Sequence, residues 1–120
     1  MLIIDAANVV GSRPDGWWRD RPGAARRFVD EVRATVAAGQ LDPPVTIVLE
    51  GQATRGVDEG DEDGVAVLHA PGEGDDAIAA LAAANRDAVV VTADRGLAKR
   101  AETVGAQVVR PTWLLDRLLD

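Results

Sequence analysis

Five short apolar segments recur along the chain and alternate with segments of helical spacing. The apolar segments are rich in β-branched residues, which is typical of strands buried on both faces of a sheet. They are Leu2–Ile4, Val45–Leu49, Val65–Leu68, Ala88–Val91 and Ala106–Val109. Between them, apolar residues return every three or four positions, as in amphipathic helices. These residues are Phe28, Val29, Val32 and Val36, then Ile78, Leu81 and Ala82, then Leu97, Ala101 and Val104.

This alternation of strands and helices predicts an α/β fold. We expect a three-layer sandwich around a central, mostly parallel and Rossmann-like sheet of about five strands. No internal repeat or linker composition interrupts residues 1–120, so a single domain is expected.

Three segments between and after the predicted strands differ in composition. Residues 11–22 are rich in Gly, Pro, Arg and Asp, and a helix is predicted from Pro22 to about Ala38. Residues 51–64 are acidic and glycine-rich, which predicts a solvated, mobile surface loop beside the cleft. A terminal apolar helix is predicted from Trp113, Leu114, Leu115, Leu118 and Leu119.

The composition restricts the chemistry available to this chain. It has no cysteine and a single histidine, His69, which excludes a disulfide framework, a thiolate zinc site and a multi-histidine metal centre. Any bound metal ion must therefore be held by oxygen atoms. We interpret His69 as a strand-end residue without a catalytic role.

Net charge and hydropathy narrow the class of protein further. The formal net charge of −7 argues against a protein that coats nucleic acid through a broad basic surface. It is compatible with a nuclease, because divalent cations neutralise the carboxylates of an oxygen-ligand site. No segment approaches the roughly 20 apolar residues of a membrane span, and the first residues do not resemble a targeting signal. We expect a cytoplasmic protein with no membrane partner.

Acidic residues lie at related places in the predicted elements. Glu50 directly follows the second strand and Asp5 the first, Asp94 comes shortly after the fourth, and Asp75 and Asp76 open a helix. The carboxyl ends of parallel strands share one edge of the sheet, and ligands bind there. Carboxylates crowded at that edge repel one another unless cations compensate them. The pattern therefore predicts a shared site for Mg²⁺ or Mn²⁺, which prefer oxygen ligands.

Turn and helix-capping chemistry offers another explanation for the same residues. Asp5 and Asn8 are spaced so that both can bond to the local backbone in a turn. Asp94, Asp75 or Asp76 can cap a helix. A single Asp would satisfy a cap, so the doublet favours metal binding by one of its two members and does not indicate which.

Arginine and tryptophan concentrate in the segment 11–22. Arginine grips phosphate bidentately, and an exposed tryptophan stacks on a base of a single strand. The candidate nucleic-acid contacts in this segment are Arg13, Trp17, Trp18, Arg19 and Arg21. Alternatively, one of the two tryptophans anchors the segment to the core. Near Asp94, the Thr92 hydroxyl is a candidate for orienting a carboxylate or substrate, and Arg95 for contacting a phosphate.

Three short motifs occur in order along the chain: Ile4–Gly11 (IDAANVVG), Gly74–Ile78 (GDDAI) and Val91–Arg95 (VTADR). Together they resemble the PIN-like nuclease superfamily, and most closely its NYN branch of small bacterial ribonuclease-like domains. The likeness covers most of the chain, and the succession of strands and helices agrees with it.

This resemblance implies metal-dependent hydrolysis of phosphodiester bonds, with RNA as the substrate. By motif position, the implied ligands of Mg²⁺ or Mn²⁺ are Asp5, Asp75 or Asp76, and Asp94. Asn8 would orient the first carboxylate or the substrate phosphate, while Glu50 matches by position only. The implied mechanism uses two metal ions and needs no protein nucleophile. Small free-standing nucleases are often controlled by a protein partner or a homodimer, but no residue pattern identifies one here.

Two other functions remain open. The chain is also compatible with a non-catalytic module of this fold that binds nucleic acid or protein, and with a phosphohydrolase that acts on free nucleotides. A receiver-like signalling domain is disfavoured, because it needs a phosphoacceptor Asp after the third strand, where residues 69–71 read His-Ala-Pro.

Overall fold

The computed structural model describes residues 1–118, which form six strands and five α-helices. The strands are β1 Leu2–Asp5, β2 Val45–Leu49, β3 Gly60–Glu62, β4 Val65–His69, β5 Val89–Val91 and β6 Gln107–Val109. The helices are α1 Ala6–Gly11, α2 Arg21–Ala37, α3 Gly74–Ala84, α4 Arg95–Thr103 and α5 Pro111–Leu115. Two 3₁₀ helices cover Trp17–Arg19 and Gly51–Gly56.

The six strands form one sheet in the order β3-β4-β2-β1-β5-β6. All neighbouring strands are parallel except β3, which runs antiparallel to β4. The chain moves outward from β1 through β2 to β4, and then returns past β1 to β5 and β6. This reversal makes β1 the topological switch point, outside whose carboxyl end ligands of open α/β sheets bind. The predicted α/β class and mostly parallel sheet are confirmed.

The residues of the central strands β1 and β2 are buried because helices cover both faces of the sheet. One core cluster joins the sheet to α1, α2 and α5, and includes Ile4, Val9, Phe28, Ile47 and Leu114. The other joins it to α3 and α4, and includes Ile3, Ile78, Val90 and Leu97. Successive strand residues point to opposite faces, so Ile3 and Ile4 enter different clusters. This two-sided burial accounts for the nearly continuous apolar runs in the sequence.

The segment 51–64 contains regular structure where a surface loop was predicted, and it adds one strand to the predicted sheet of about five. It begins with a 3₁₀ helix and continues into β3, a sixth strand at the edge of the sheet. All three β3 residues are exposed, so the strand leaves no apolar alternation in the sequence. The signal that was present is Asp63-Gly64, both with positive φ, which is the two-residue turn favoured in β-hairpins. Short, charged strands are typical of exposed sheet edges.

Local capping determines where the helices begin. The Asp20 carboxylate accepts a hydrogen bond from Gly23 N at 3.0 Å, and Pro22 lies in the first turn of α2. The predicted helix from Pro22 to about Ala38 is therefore confirmed within one residue at each end. Asn8, in contrast, was expected in a turn and lies in the short helix α1.

The terminal helix is shorter than predicted. It ends at Leu115, and Leu118 lies beyond it, in a non-helical position. Leu119 of the predicted helix lies outside the described residues. Within residues 1–118, none of the helices combines the length and apolar character needed to cross a membrane.

Candidate functional site

The Asp5 carboxylate lies at the switch point, where β1 passes directly into α1. The residue is 6% exposed, and both of its carboxylate oxygens accept hydrogen bonds. Oδ1 accepts from Asn8 N at 3.3 Å, which caps α1, and Oδ2 accepts from the Thr92 hydroxyl at 2.9 Å. Asp5 thus bonds to the local backbone, the alternative role considered from the sequence, but it does so as a helix cap and not in a turn, and the same carboxylate is also bonded to Thr92 after β5.

Burial raises the pKa of Asp5 above its ordinary value. The hydrogen bonds from Thr92 and Asn8 favour the ionised form and oppose this rise, whereas the nearby charges of Asp75 and Glu50 add to it. The carboxylate is therefore held in an environment that disfavours its negative charge. A cation beside it would reverse that preference.

Thr92 and Asn8 connect the ends of β1 and β5. The Thr92 hydroxyl, which donates to Asp5, also accepts from Asp94 N at 3.1 Å. The Asn8 side chain accepts from Ala93 N at 2.8 Å. Thr92 is 2% exposed, and its hydroxyl orients protein groups, which is the orienting role considered from the sequence.

Asp94 caps the next helix of the same edge. Its Oδ1 accepts from Leu97 N at 3.0 Å, at the first turn of α4, and the residue is exposed to solvent. Arg95 follows it as an exposed residue at the start of α4. Asp94 is thus both a helix cap and a solvent-exposed carboxylate at this edge of the sheet.

The structure distinguishes the two members of the Asp75-Asp76 doublet. Asp76 is exposed and forms an ion pair with Arg100 at 3.0 Å. Asp75 is partly buried, and its pKa is raised by that burial and then by the charges of Asp94, Glu50 and Glu73; Arg100 opposes the rise. Asp75 therefore belongs to the acidic group at the switch point, whereas Asp76 is engaged by a basic residue of α4.

Glu50 links the end of β2 to the start of α3. Its Oε2 accepts from Gly74 N, the first residue of α3, at 2.7 Å. The side chain of Glu73, the residue that precedes α3, makes no capping hydrogen bond. Glu50 therefore caps the helix from a different element. Its charge also influences the pKa of both Asp5 and Asp75.

We call Asp5, Glu50, Asp75 and Asp94 the acidic edge. Asp75 interacts electrostatically with each of the other three members, and Glu50 also interacts with Asp5. Their carboxylate oxygens are the donor type that Mg²⁺ and Mn²⁺ prefer. Among residues 1–118, no three Asp, Glu or His side chains are grouped closely enough to enclose an ion as placed. The type of donor atom nevertheless fits a divalent cation, and binding of such an ion would draw the carboxylates closer together.

The segment 11–22 brings two of its arginines onto its tryptophans. The Arg21 guanidinium carbon lies 5.4 Å from the Trp17 ring centroid, and that of Arg19 lies 5.6 Å from Trp18. The two rings meet edge to face at 5.9 Å, and Trp18 is 53% exposed. Trp18 thus offers a free surface, while Trp17 is half-buried.

Arg13 is placed differently from the other predicted phosphate contacts. Its guanidinium forms two hydrogen bonds, of 2.7 and 2.9 Å, with the Glu31 carboxylate of α2. This bidentate geometry is the strongest that a guanidinium and a carboxylate adopt. Arg13 therefore fastens the segment to α2.

A pocket of about 520 Å³ adjoins the acidic edge and was not predicted from the sequence. Glu50 belongs to both the acidic edge and the pocket wall. Other lining residues come from α1, the 17–19 helix, α2, the end of β2, the 51–56 helix and the segment after β4, and include Ala7, Trp17, Arg21, Gln52 and Pro71. Because the walls combine residues from separate parts of the chain, no local pattern marks the pocket.

His69 stabilises the segment that leads into β3. Its Nε2 lies 2.7 Å from the Val57 carbonyl oxygen, and its backbone N–H donates to Glu59 Oε2 at 2.8 Å. These contacts fit the interpretation of His69 as a strand-end residue.

Comparisons with family models, curated proteins and solved structures give no match to this chain. The likeness to PIN-like nucleases therefore rests on the three sequence motifs alone.

Proposed function

We propose that this protein is a metal-dependent nuclease that hydrolyses phosphodiester bonds, with RNA as its substrate and a three-layer, PIN-like fold of the NYN type. The observation that carries the proposal is the acidic edge at the switch point of the sheet. Four carboxylates from separate elements interact there, and the pKa of two of them is raised. Raised pKa values in a cleft are typical of functional sites.

The residues that would hold Mg²⁺ or Mn²⁺ are Asp5, Glu50, Asp75 and Asp94. Bound divalent cations would supply a nucleophile from water at neutral pH and charge stabilisation at the phosphate. The other residues act on these carboxylates: Thr92 orients Asp5, and Asn8 holds the backbone that precedes Asp94. No protein nucleophile is required, in agreement with the absence of cysteine.

Substrate contacts are proposed for the residues around the acidic edge. Arg19 and Arg21 carry positive charge beside the two tryptophans, and Arg95 lies next to Asp94. These groups would attract the phosphate backbone, which the acidic edge alone would repel. Control by a protein partner or a homodimer remains part of the proposal.

The first test is titration calorimetry with Mn²⁺ on the native chain, Asp94→Asn and Asp76→Asn. We expect saturable binding that is lost in Asp94→Asn and retained in Asp76→Asn, because only the latter residue is engaged by Arg100 and lies outside the acidic edge. Loss of binding in both variants, or in neither, would contradict the assignment. Absence of any binding would favour the non-catalytic module.

Cleavage is then tested with single-stranded and structured RNAs in Mn²⁺. If Mn²⁺ binds and all RNAs remain intact, the nuclease proposal fails. Hydrolysis of nucleoside triphosphates under the same conditions would support the second candidate, a nucleotide phosphohydrolase. The pocket beside the acidic edge favours that candidate, because it is of a size that accepts one small ligand.

A further inference from the structure

We infer that the pocket beside the acidic edge receives one unpaired nucleobase of the substrate. This inference rests on the proposed function and deepens it, because it restricts the substrate to single-stranded or locally unpaired nucleic acid. The size of the pocket, the chemistry of its walls and its position relative to the acidic edge all favour a base.

The dimensions and walls suit a flat, partly apolar ligand. The volume of about 520 Å³ lies within the range of small-molecule sites, roughly 300–1,000 Å³. Most of the wall is apolar, with contributions from Val10, Leu49 and Pro71, and Trp17 adds an aromatic side chain. Aromatic side chains bind nucleobases by stacking, whatever the base.

A few polar groups complete the wall. Gln52 provides both a donor and an acceptor, Glu50 provides carboxylate oxygens, and Arg21 provides a positive charge close to Trp17. A nucleobase carries donors and acceptors on its edge, whereas an aliphatic ligand would leave these groups without partners. The combination therefore favours a base over a lipid chain or an aliphatic side chain.

The position of the pocket links it to the chemistry. Ala6, which directly follows Asp5, lines the pocket, and Glu50 is shared between the pocket and the acidic edge. A nucleotide whose base occupies the pocket would thus keep its phosphate near the carboxylates. Bases in a duplex are stacked and paired and cannot enter a pocket of this kind without being extruded.

The test is nuclear magnetic resonance of the full chain in EDTA, titrated with adenosine, uridine and, as a control, ribose. Nucleosides carry no phosphate, so neither a metal ion nor cleavage is involved. The chain has three tryptophans, and their indole N–H signals report separately on Trp17, Trp18 and Trp113. We expect a saturable shift at Trp17 with the nucleosides, none with ribose, and none at Trp113.

A pair of matched variants locates the ligand. Ala7→Leu adds bulk to the pocket wall, and Ala34→Leu adds the same bulk to an exposed position of α2 outside the pocket. We expect nucleoside affinity to fall about fivefold or more in Ala7→Leu, the scale of one lost base-stacking contact, and to remain unchanged in Ala34→Leu. Both replacements are at exposed helical sites, and leucine is a good helix former.

The inference is overturned if no saturable shift occurs at Trp17, if the shift is confined to Trp18, or if Ala7→Leu binds as tightly as Ala34→Leu. A response confined to Trp18 would assign base stacking to the exposed ring instead. These outcomes leave the Mn²⁺ titration untouched. Conversely, loss of the metal site would leave a nucleoside-binding pocket standing.

Discussion

The Asp5 carboxylate is buried at the junction of β1 and α1, and its charge is tolerated because two hydrogen bonds are aimed at it. One comes from its own helix through Asn8 N, and the other from Thr92, 87 residues away along the chain. Burial nevertheless dominates, and the pKa is raised. An uncompensated buried charge destabilises a fold, so this arrangement favours binding of a cation over stability of the free protein.

Replacing Thr92 tests this balance. Thr92→Val keeps the shape and removes the hydroxyl that donates to Asp5 and accepts from Asp94 N. We expect the pKa of Asp5 to rise further and the free energy of unfolding to fall by about 1–3 kcal/mol, the usual result of leaving a buried polar group unpaired. Carbon-13 resonance titration of the Asp5 carboxyl and urea unfolding measure the two effects.

Thr103→Val is the matched control for that variant. Thr103 also donates its hydroxyl, to Lys99 O at 2.8 Å, but it lies on the exposed side of α4. Its replacement should change the free energy of unfolding by no more than about 0.5 kcal/mol. Equal effects of the two variants would mean that the Thr92 hydroxyl contributes nothing specific to Asp5.

The Asp75-Asp76 doublet shows what a residue pattern predicts and what it leaves undecided. The adjacent charges predicted that one of Asp75 and Asp76 would lie at the sheet edge, since a helix cap needs only one. The choice between them depended on where Arg100 of α4 lies, and that is a contact between two helices. Similarly, the sequence makes Arg13 a candidate phosphate contact, and only the fold shows that Glu31 of α2 lies opposite it.

At the scale of elements, the start of α3 is positioned by Glu50 from the end of β2. The Gly74 N–H, one of the four unpaired donors at the helix start, finds its acceptor in that carboxylate. This contact holds Asp75, the second residue of α3, at the acidic edge. A single side chain thereby couples strand, helix and site.

Two variants of Glu50 separate capping from charge. Glu50→Ala removes the acceptor and should lower the free energy of unfolding by about 0.5–2 kcal/mol, as for other lost helix caps. Glu50→Gln retains an acceptor oxygen and removes a negative charge near Asp5 and Asp75, so it should be at least as stable as the native chain. Urea unfolding and hydrogen exchange at the Gly74 amide measure this. An alanine variant as stable as the glutamine variant would contradict the capping role.

The β3 hairpin is an element that the apolar pattern of the sequence did not predict. The strand makes no apolar contribution, so its pattern resembles that of a solvated loop. It is formed through backbone pairing with β4 and the Asp63-Gly64 turn. A residue pattern that is read for burial alone misses strands of this kind, although the turn dipeptide was there to be recognised.

The whole molecule carries a net charge of −7, and the acidic edge concentrates part of it at one end of the sheet. Without a cation, the folded protein holds protons on Asp5 and Asp75 more tightly than the unfolded chain does, since their pKa is raised above the ordinary 3.8. The stability due to these two groups is therefore greatest below that value and is lost as pH rises through their raised pKa.

Metal binding should reverse this dependence, because Mn²⁺ competes with protons for the same oxygens. We expect Mn²⁺ to raise the melting temperature more near pH 7 than near pH 5. At about 100 times the dissociation constant, the added stability is about 2.7 kcal/mol. Thermal unfolding followed by circular dichroism, with and without Mn²⁺ at both pH values, measures the difference.

Two variants show in that experiment whether Mn²⁺ binds at the acidic edge or at the acidic β3 hairpin. Asp75→Asn should lose the gain in melting temperature, and Asp61→Asn, on the exposed strand β3, should keep it. The reverse pattern, or an equal gain at both pH values, would place Mn²⁺ binding elsewhere on the molecule.

The sequence by itself determined the α/β class, five of the strands and the positions of the acids near their ends, because apolar runs and capping residues act through neighbouring positions. Only the tertiary structure decided that Asp75 and not Asp76 joins the acidic edge, that Glu50 caps α3, and that residues from separate segments line a pocket beside it. These features arise from contacts between elements distant in the chain. Their geometry depends on how the sheet orders its strands, which no local pattern contains.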